Sequence, residues 1–409
     1  MSDYRLTYDG NTGGAVPTID LPLSKSESNR LLLIVALCGG DVTAERVAEC
    51  DDTRAMLHGL TSTGVCVNVG AAGTAMRFLT AWLANNPSRG EVVIDGSERM
   101  RQRPIRPLVD ALRELGGCVD YVLAEGVPPL RFIGSGLMGG TITMSASVSS
   151  QYVSALMMLA PTLRDGLEIH FNDKPVSMPY IEMTAAMMRR FGAEVEVSDS
   201  MVVIPSGGYR LTSVTVEGDW SAASYWFEIV ALTGKPVRLS GLKAESLQGD
   251  SKITDVFKRL GVETVFDEHG VELRPMPYDD SALRVNLEDM PDVAQTVAAT
   301  SAMLRKPFVI EGLSTLPSKE TDRLKALHDE LLKLGVATTV TSSAIMWDGT
   351  LVTPVAEPSI NTYHDHRMAM AFAPAAVCRP GLVINDIEVV SKSYPEYWNH
   401  LDQFGFTII

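Results

Sequence analysis

Basic side chains crowd the places where helices are expected to begin. Lys25 and Arg30 lie in SKSESNR, Arg77 in GTAMR and Arg367 in HDHR, while Lys319 and Arg323 flank the start read in SKETDR. Arg99, Arg101 and Arg103 form a further run before a helix expected near Pro104. A helix N-terminus already carries about half a positive charge, so a cation in its first turn is unfavourable unless an anion lies between them. Several such starts aimed at one place make a site for more than one anionic group. For any single charge a solvated surface is the plainer explanation, most readily for Arg99 and Arg101.

Two carboxylates sit inside this basic collection. Asp292 follows Pro291 in MPD, and Glu320 lies between Lys319 and Arg323. A carboxylate repels an anionic ligand, so its presence there points to proton transfer. Each also has a structural reading, Asp292 as an N-cap and Glu320 as a first-turn helix acid. The five cysteines, Cys38, Cys50, Cys66, Cys118 and Cys378, are odd in number and contain no C-x-x-C pair. They are expected to be buried free thiols rather than disulfides or a zinc site.

An internal repeat supplies the elements that must position these groups. One phrase, an amphipathic helix ending near a glycine and followed by a β-branched strand, recurs six times: MLHGLTSTGVCVNV, LVDALRELGGCVDYV, TAAMMRRFGAEVEV, ITDVFKRLGVETVF, LHDELLKLGVATTV and WNHLDQFGFTII. Its glycines, expected as left-handed helix stops, are Gly64, Gly116, Gly192, Gly261, Gly335 and Gly405, at spacings of 52, 76, 69, 74 and 70. A second phrase alternates with it and runs from small or polar residues into a helix with no polar face. Such a helix belongs in a core. The pattern reads as six βαβαββ units of an α/β protein, three around each of two cores. A solenoid of six equal repeats is the alternative. The expected domains are 22–217, inserted, and a discontinuous 1–21 plus 218–409, in which an opening strand from Tyr4 to Leu21 joins the distant half.

Composition narrows the class. The 409 residues are 45% hydrophobic and 21% charged, as in a globular protein. A net charge of −15 argues against nucleic-acid or acidic-membrane partners. The apolar run Leu31–Cys38 is too short to span a bilayer, and MSDYRLTYDG carries no signal pattern, so a cytoplasmic protein is expected.

In order along the chain, LPLSKSESNRLLL, GTAMR, RQRPI, SVSSQY, MPYIEM, EGDWSAASYW, MPDVAQT, SKETDRL, YHDHRMAMAF and SKSYPEYW resemble the motifs of the 3-phosphoshikimate 1-carboxyvinyltransferase (5-enolpyruvylshikimate-3-phosphate synthase) family, from about residue 21 to 397. The resemblance implies two similar domains, each of three βαβαββ units arranged as an inside-out barrel, with the active site in the interdomain cleft. It implies transfer of the enolpyruvyl group of phosphoenolpyruvate to the 5-hydroxyl of shikimate 3-phosphate, with release of phosphate, on the route to chorismate and the aromatic amino acids. No metal or organic cofactor and no macromolecular partner is implied, and a monomer is expected.

Carried over motif by motif, the resemblance assigns shikimate 3-phosphate to Lys25, Ser26, Arg30, Ser149, Ser150, Gln151, Ser177, Tyr180, Asp292 and Lys319. It assigns phosphoenolpyruvate to Lys25, Gly73, Arg103, Gln151, Arg323, Arg367 and Lys392. Asp292, Glu320 and Lys25 become the catalytic groups of an addition followed by an elimination. Three positions depart from the family pattern: Leu23 stands where glycine is usual, and Ala71 and Thr315 stand where asparagine is usual.

The nearest rival is the sister family acting on UDP-N-acetylglucosamine. Most of its members carry a catalytic cysteine just before the arginine matching Arg103, whereas here the loop reads DGSERMRQRP. A non-catalytic anion-binding or RNA-end-binding relative would keep the basic groups but has no use for both Asp292 and Glu320.

Overall fold

The computed structural model describes residues 2–10, 16–43, 45–145, 149–268 and 270–409. Two compact units are formed, one by Ser24–Val216 and the other by Met1–Leu23 with Glu217–Ile409. The helices are α1 (Lys25–Leu37), α2 (Asp51–Thr61), α3 (Gly73–Ala84), α4 (Arg106–Glu114), α5 (Ser150–Leu159), α6 (Met178–Arg190), α7 (Trp220–Thr233), α8 (Ile253–Lys258), α9 (Ala294–Met303), α10 (Arg323–Lys333), α11 (His366–Phe372) and α12 (Tyr397–Gln403).

Odd-numbered helices are the apolar ones and even-numbered helices the amphipathic ones, as the two alternating phrases require. Every residue of α9 and α11 is buried. The hydroxyls of α9 are all satisfied: Thr300 and Ser301 donate to the carbonyls of Thr296 and Val297, and Thr296 Oγ1 pairs with Ser224 Oγ on α7. Helix α4 instead buries one face, Leu108, Val109, Ala111 and Leu112. Five of the six expected stop glycines have positive φ, from 83° at Gly192 to 95° at Gly116.

Five four-stranded sheets share one plan among the described residues. The first two strands of each sheet pair in parallel around the buried helix, and an antiparallel pair adds to the second; in four sheets that pair is a hairpin of successive strands, giving the order 1-2-4-3, and in the last it joins an opening strand of the chain to the final one. In Ser24–Val216 the sheets are 66–68, 91–95, 130–133, 118–121 and 140–144, 167–171, 201–204, 196–197. The other unit holds 18–20, 237–240, 270–275, 262–267, then 283–286, 308–311, 345–347, 339–340, and finally 359–360, 382–384, 4–8, 406–408. The expected single opening strand is therefore two strands. Tyr4–Tyr8 closes the last sheet and Thr18–Asp20 opens another. Residues 11–15 between them lie outside the described residues.

The first repeat departs from the plan, and its short spacing of 52 residues is the reason. Helices α1 and α2 are present, but α2 ends at Thr61 with Ser62 in an extended conformation, and Gly64 is no left-handed stop. The strand that follows, Cys66–Asn68, pairs in parallel with Glu91–Asp95 and so already opens the next unit. No sheet of its own belongs to the first repeat among the described residues.

The cysteines also differ from expectation. All five are free, but only Cys50 is buried, while Cys66, Cys118 and Cys378 are exposed. Cys66 and Cys118 fall on the outward positions of alternating strands, where small-residue context does not reveal which face they take. Among the described residues no helix is long and apolar enough to cross a membrane.

Candidate active site

In Ser24–Val216 the N-terminal halves of four helices are tied together by side chains. Gln151 Nε2, in the first turn of α5, donates to Thr74 Oγ1 in that of α3 at 3.0 Å. Arg30 on α1 donates through Nε to Thr184 Oγ1 at 2.7 Å and through Nη2 to Ser154 Oγ at 3.3 Å and the Tyr180 carbonyl at 3.2 Å, joining α1 to α5 and α6. Its Nη1 reaches the Ser26 carbonyl at 2.9 Å. Burial pulls the Arg30 guanidinium down to about 10, with Tyr180 and Glu27 opposing. Most of its donors are thus directed at protein atoms.

The other expected residues of this unit stand at helix starts. Lys25 is the first residue of α1, and its Nζ lies 3.0 Å from Asp52 Oδ2 in the first turn of α2. Ser149 caps α5, accepting from Gln151 N at 3.3 Å, and Ser150 follows it, buried. Two residues of that SVSSQ motif, Ser147 and Val148, lie outside the described residues. Ser177 precedes α6 in a left-handed conformation, with φ of 55°. Gly73 opens α3, whose N-cap Ala72 makes no side-chain cap bond.

Arg103 explains why position 73 is glycine. A Cβ there would lie 2.5 Å from Arg103 Nη1 and 2.9 Å from Nη2, so the guanidinium lies directly against the first turn of α3. It is 7% exposed, and its Nε has no hydrogen-bond partner among the described residues. A buried cation over the positive end of a helix is stable only with an anion close by. Arg77 is different. Its guanidinium donates to the carbonyls of Gly73, in its own helix, and of Pro104, so this cation ties α3 to the loop before α4.

In the other unit the expected groups form one ion-pair network. Asp292 Oδ1 accepts from Arg323 Nη1 at 2.9 Å and lies 3.3 Å from Lys319 Nζ, and Oδ2 accepts from Arg367 Nη2 at 3.0 Å. Glu320 Oε2 accepts from Arg323 Nη2 at 3.0 Å, and Oε1 from Lys392 Nζ at 2.6 Å. Burial alone would raise the Asp292 carboxyl; Arg367, Lys319 and Arg323 overcome this and hold it well below the usual carboxylate range. The structural readings of both acids fall away. Both Asp292 oxygens face cations, and α10 begins at Arg323 with Asp322 as its cap, leaving Glu320 outside the helix.

The sequence matches one family model, that of EPSP synthase (3-phosphoshikimate 1-carboxyvinyltransferase), over residues 61–401. The chain belongs to the EPSP synthase family. It is 48% identical over 394 residues to the 3-phosphoshikimate 1-carboxyvinyltransferase of Bacteroides fragilis, covering 96% of each chain. It is 37% identical over 432 residues to a chloroplastic enzyme of that name from Nicotiana tabacum, covering 95% of this chain and 82% of the relative. Its fold resembles the solved EPSP synthase of Acinetobacter baumannii, with a TM-score of 0.73 at 19% identity and full coverage of both chains. It also resembles the enolpyruvyl transferase NikO of Streptomyces tendae, with a TM-score of 0.70 at 15% identity, covering 100% of this chain and 99% of that one. The protein is a transferase with EPSP synthase activity in the shikimate pathway.

Sequence reasoning missed three residues of these EPSP synthase clusters. Asp365, fully buried, accepts from Arg323 Nε at 2.7 Å and from the Arg367 backbone N–H at 3.0 Å, fixing both arginines from one carboxylate. It reads as an ordinary N-cap in HDHR. Asp52 is hidden among the first-turn acids of α2. Asp250 accepts from Ser221 Oγ, which Arg367 Nη2 meets at 3.4 Å. Burial and the neighbouring Asp292 push the Asp250 carboxyl up to about 6. No motif pointed to it.

Proposed function

We propose that the two clusters, one from each unit, act on a single pair of substrates, shikimate 3-phosphate and phosphoenolpyruvate, in a monomeric cytoplasmic enzyme. The observation that carries this reading is Asp292, a carboxylate held by two arginines and a lysine in a basic cluster that, if it served only to bind anions, would have no use for a carboxylate. Arg103 over Gly73, with Arg323, Arg367 and Lys392, is assigned to the carboxylate and phosphate of phosphoenolpyruvate, which guanidinium forks match. Lys25, Ser26, Arg30, Ser149, Ser150, Gln151, Ser177, Tyr180 and Lys319 are assigned to shikimate 3-phosphate. Lys25 and Gln151 touch both substrates.

In the addition, the 5-hydroxyl oxygen bonds to C2 of phosphoenolpyruvate, its proton passes to Asp292, and C3 gains a proton from Glu320 or Lys25. In the elimination, C3 gives up a proton to the group that had supplied one, the C2–O bond to phosphate breaks, and phosphate leaves with the proton that Asp292 had accepted, which restores the carboxylate. Asp292 is a weak base while three cations hold it. Anionic substrates compete for Arg323, Arg367 and Lys319, and each cation drawn away raises the basicity of the carboxylate, so the base is activated by the ligand it serves. The same cations stabilise the charge of the tetrahedral intermediate.

The departures weaken binding without touching this chemistry. Ala71 and Thr315 each lose an amide hydrogen bond, worth about 0.5–1.5 kcal/mol net. Phosphate release measured with both substrates, with each alone, and with UDP-N-acetylglucosamine in place of shikimate 3-phosphate tests the proposal. Release that does not need shikimate 3-phosphate would overturn it.

A further inference from the structure

We propose that Asp95 and Arg101 are positioning residues for phosphoenolpyruvate: their forked ion pair closes the loop that carries Arg103 and so holds that guanidinium over the first turn of α3. The inference rests on the donor assignment made above, and it begins from how Arg103 is held. Arg103 is buried, its Nε has no hydrogen-bond partner among the described residues, and its terminal nitrogens lie against Gly73. A side chain without such an anchor takes its place from its backbone, and therefore from the loop 95–103.

That loop is fastened at three levels. Within it, Gly96 N donates to Asp95 Oδ1 at 2.7 Å, Arg101 N to the Ser97 carbonyl at 3.1 Å, and Arg103 N to the Met100 carbonyl at 3.1 Å. It is laid against the loop entering α3: Val69 N donates to the Asp95 carbonyl and Ser97 N to the Gly70 carbonyl, both at 2.9 Å. The approach is close enough that a Cβ on Gly96 would lie 2.7 Å from the Gly70 oxygen. Across the base, Arg101 Nε donates to Asp95 Oδ1 at 2.9 Å while Nη2 takes Oδ2, a two-point fork that fixes direction as well as distance. The Asp95 side chain is 16% exposed and that of Arg101 46%.

The pair also settles a charge problem. Asp95 ends the strand beside the helix start where an anion is assigned, and its carboxylate would repel that anion if left alone. Arg101 neutralises it and, in doing so, holds the carboxyl below its ordinary range. The plain alternative is an ornamental surface ion pair, whose loss would change nothing at the donor site.

Three variants separate these readings. Asp95→Asn keeps the turn with Gly96 but removes the charge, Arg101→Gln removes the fork, and the third combines them. Steady-state kinetics should show the KM for phosphoenolpyruvate raised about 3–10-fold in each single variant, the range a forked but partly exposed pair can supply. The KM for shikimate 3-phosphate and kcat should stay within about twofold, and the double variant should be no worse than the worse single, because both act through one contact. Arg101→Lys, which keeps charge without the fork, should fall between. An unchanged donor KM, equal rises in both KM values, or multiplicative losses in the double variant would overturn the proposal. Wild-type enzyme is assayed first, and failure to release phosphate would remove the donor assignment itself. The clamp is then judged by the crystal structure of Arg101→Gln, where an Arg103 guanidinium still seated against Gly73 would refute it.

Discussion

Replacing Gly73 with alanine inserts one methyl group between α3 and Arg103. The new Cβ would stand 2.5 Å from Nη1, 2.9 Å from Nη2 and 3.0 Å from Cζ. Ordinary contact needs about 3.5 Å, so the guanidinium must retreat by roughly 1 Å. The cost to the fold is small, because the obstructed atoms are the end of a long side chain. The cost to the ligand is larger. A fork displaced by that distance keeps at most one of its two charge-assisted hydrogen bonds, and each is worth about 1.5–3 kcal/mol. The KM for phosphoenolpyruvate should therefore rise about 10–150-fold, at 1.36 kcal/mol per factor of ten, with thermal stability and shikimate 3-phosphate affinity nearly unchanged. Steady-state kinetics with each substrate varied, beside a melting curve, provide the assay. A donor KM within twofold of wild type would refute the reasoning, as would equal losses for both substrates.

Other perturbations separate chemistry from architecture. Asp292→Asn preserves shape and should keep shikimate 3-phosphate binding while losing about 10²–10⁴-fold in kcat, the usual value of a general base; a variant retaining half its turnover would show the carboxylate to be structural. Asp365→Asn takes a fully buried carboxylate from Arg323 and should destabilise its unit by about 3 kcal/mol and weaken phosphoenolpyruvate binding, read from the denaturant midpoint and the KM. A wild-type midpoint would contradict this. Glu228, fully buried on α7 with neither oxygen partnered among the described residues, has its carboxyl raised well above the usual range by burial. A raised pKa gives stability that is complete below the unfolded value of about 4.3 and falls as pH rises above it. Melting temperature should thus decline from about pH 5 to 8 in the wild type and decline less in Glu228→Gln, and identical slopes would exclude Glu228 as the cause.

What the sequence reveals depends on whether a residue's role is periodic or relational. Helix alternation is periodic: α9 and α11 have no polar face and α4 has one, so their burial follows from the pattern. The strand order 1-2-4-3 is not written in any one strand, and the closure of the last sheet by Tyr4–Tyr8 joins residues nearly a chain length apart. Spacing did carry the missing sheet of the first repeat, since 52 residues leave no room for a hairpin. At the site, Arg77 and Arg103 look alike as cations at a helix start, yet one meets backbone carbonyls and the other lies against Gly73. Asp365 was illegible for the converse reason. A carboxylate at an N-cap is expected for local reasons, so its bond to Arg323, forty-two positions away, leaves no mark.

The central claim is that both clusters serve one transfer between two anionic substrates. Its most direct test is single-turnover mixing of wild-type enzyme with shikimate 3-phosphate and phosphoenolpyruvate, following phosphate and the enolpyruvyl product together. One phosphate is expected per enolpyruvyl group transferred, with neither formed when either substrate is omitted. Phosphate released without transfer, or at the same rate without shikimate 3-phosphate, would contradict it.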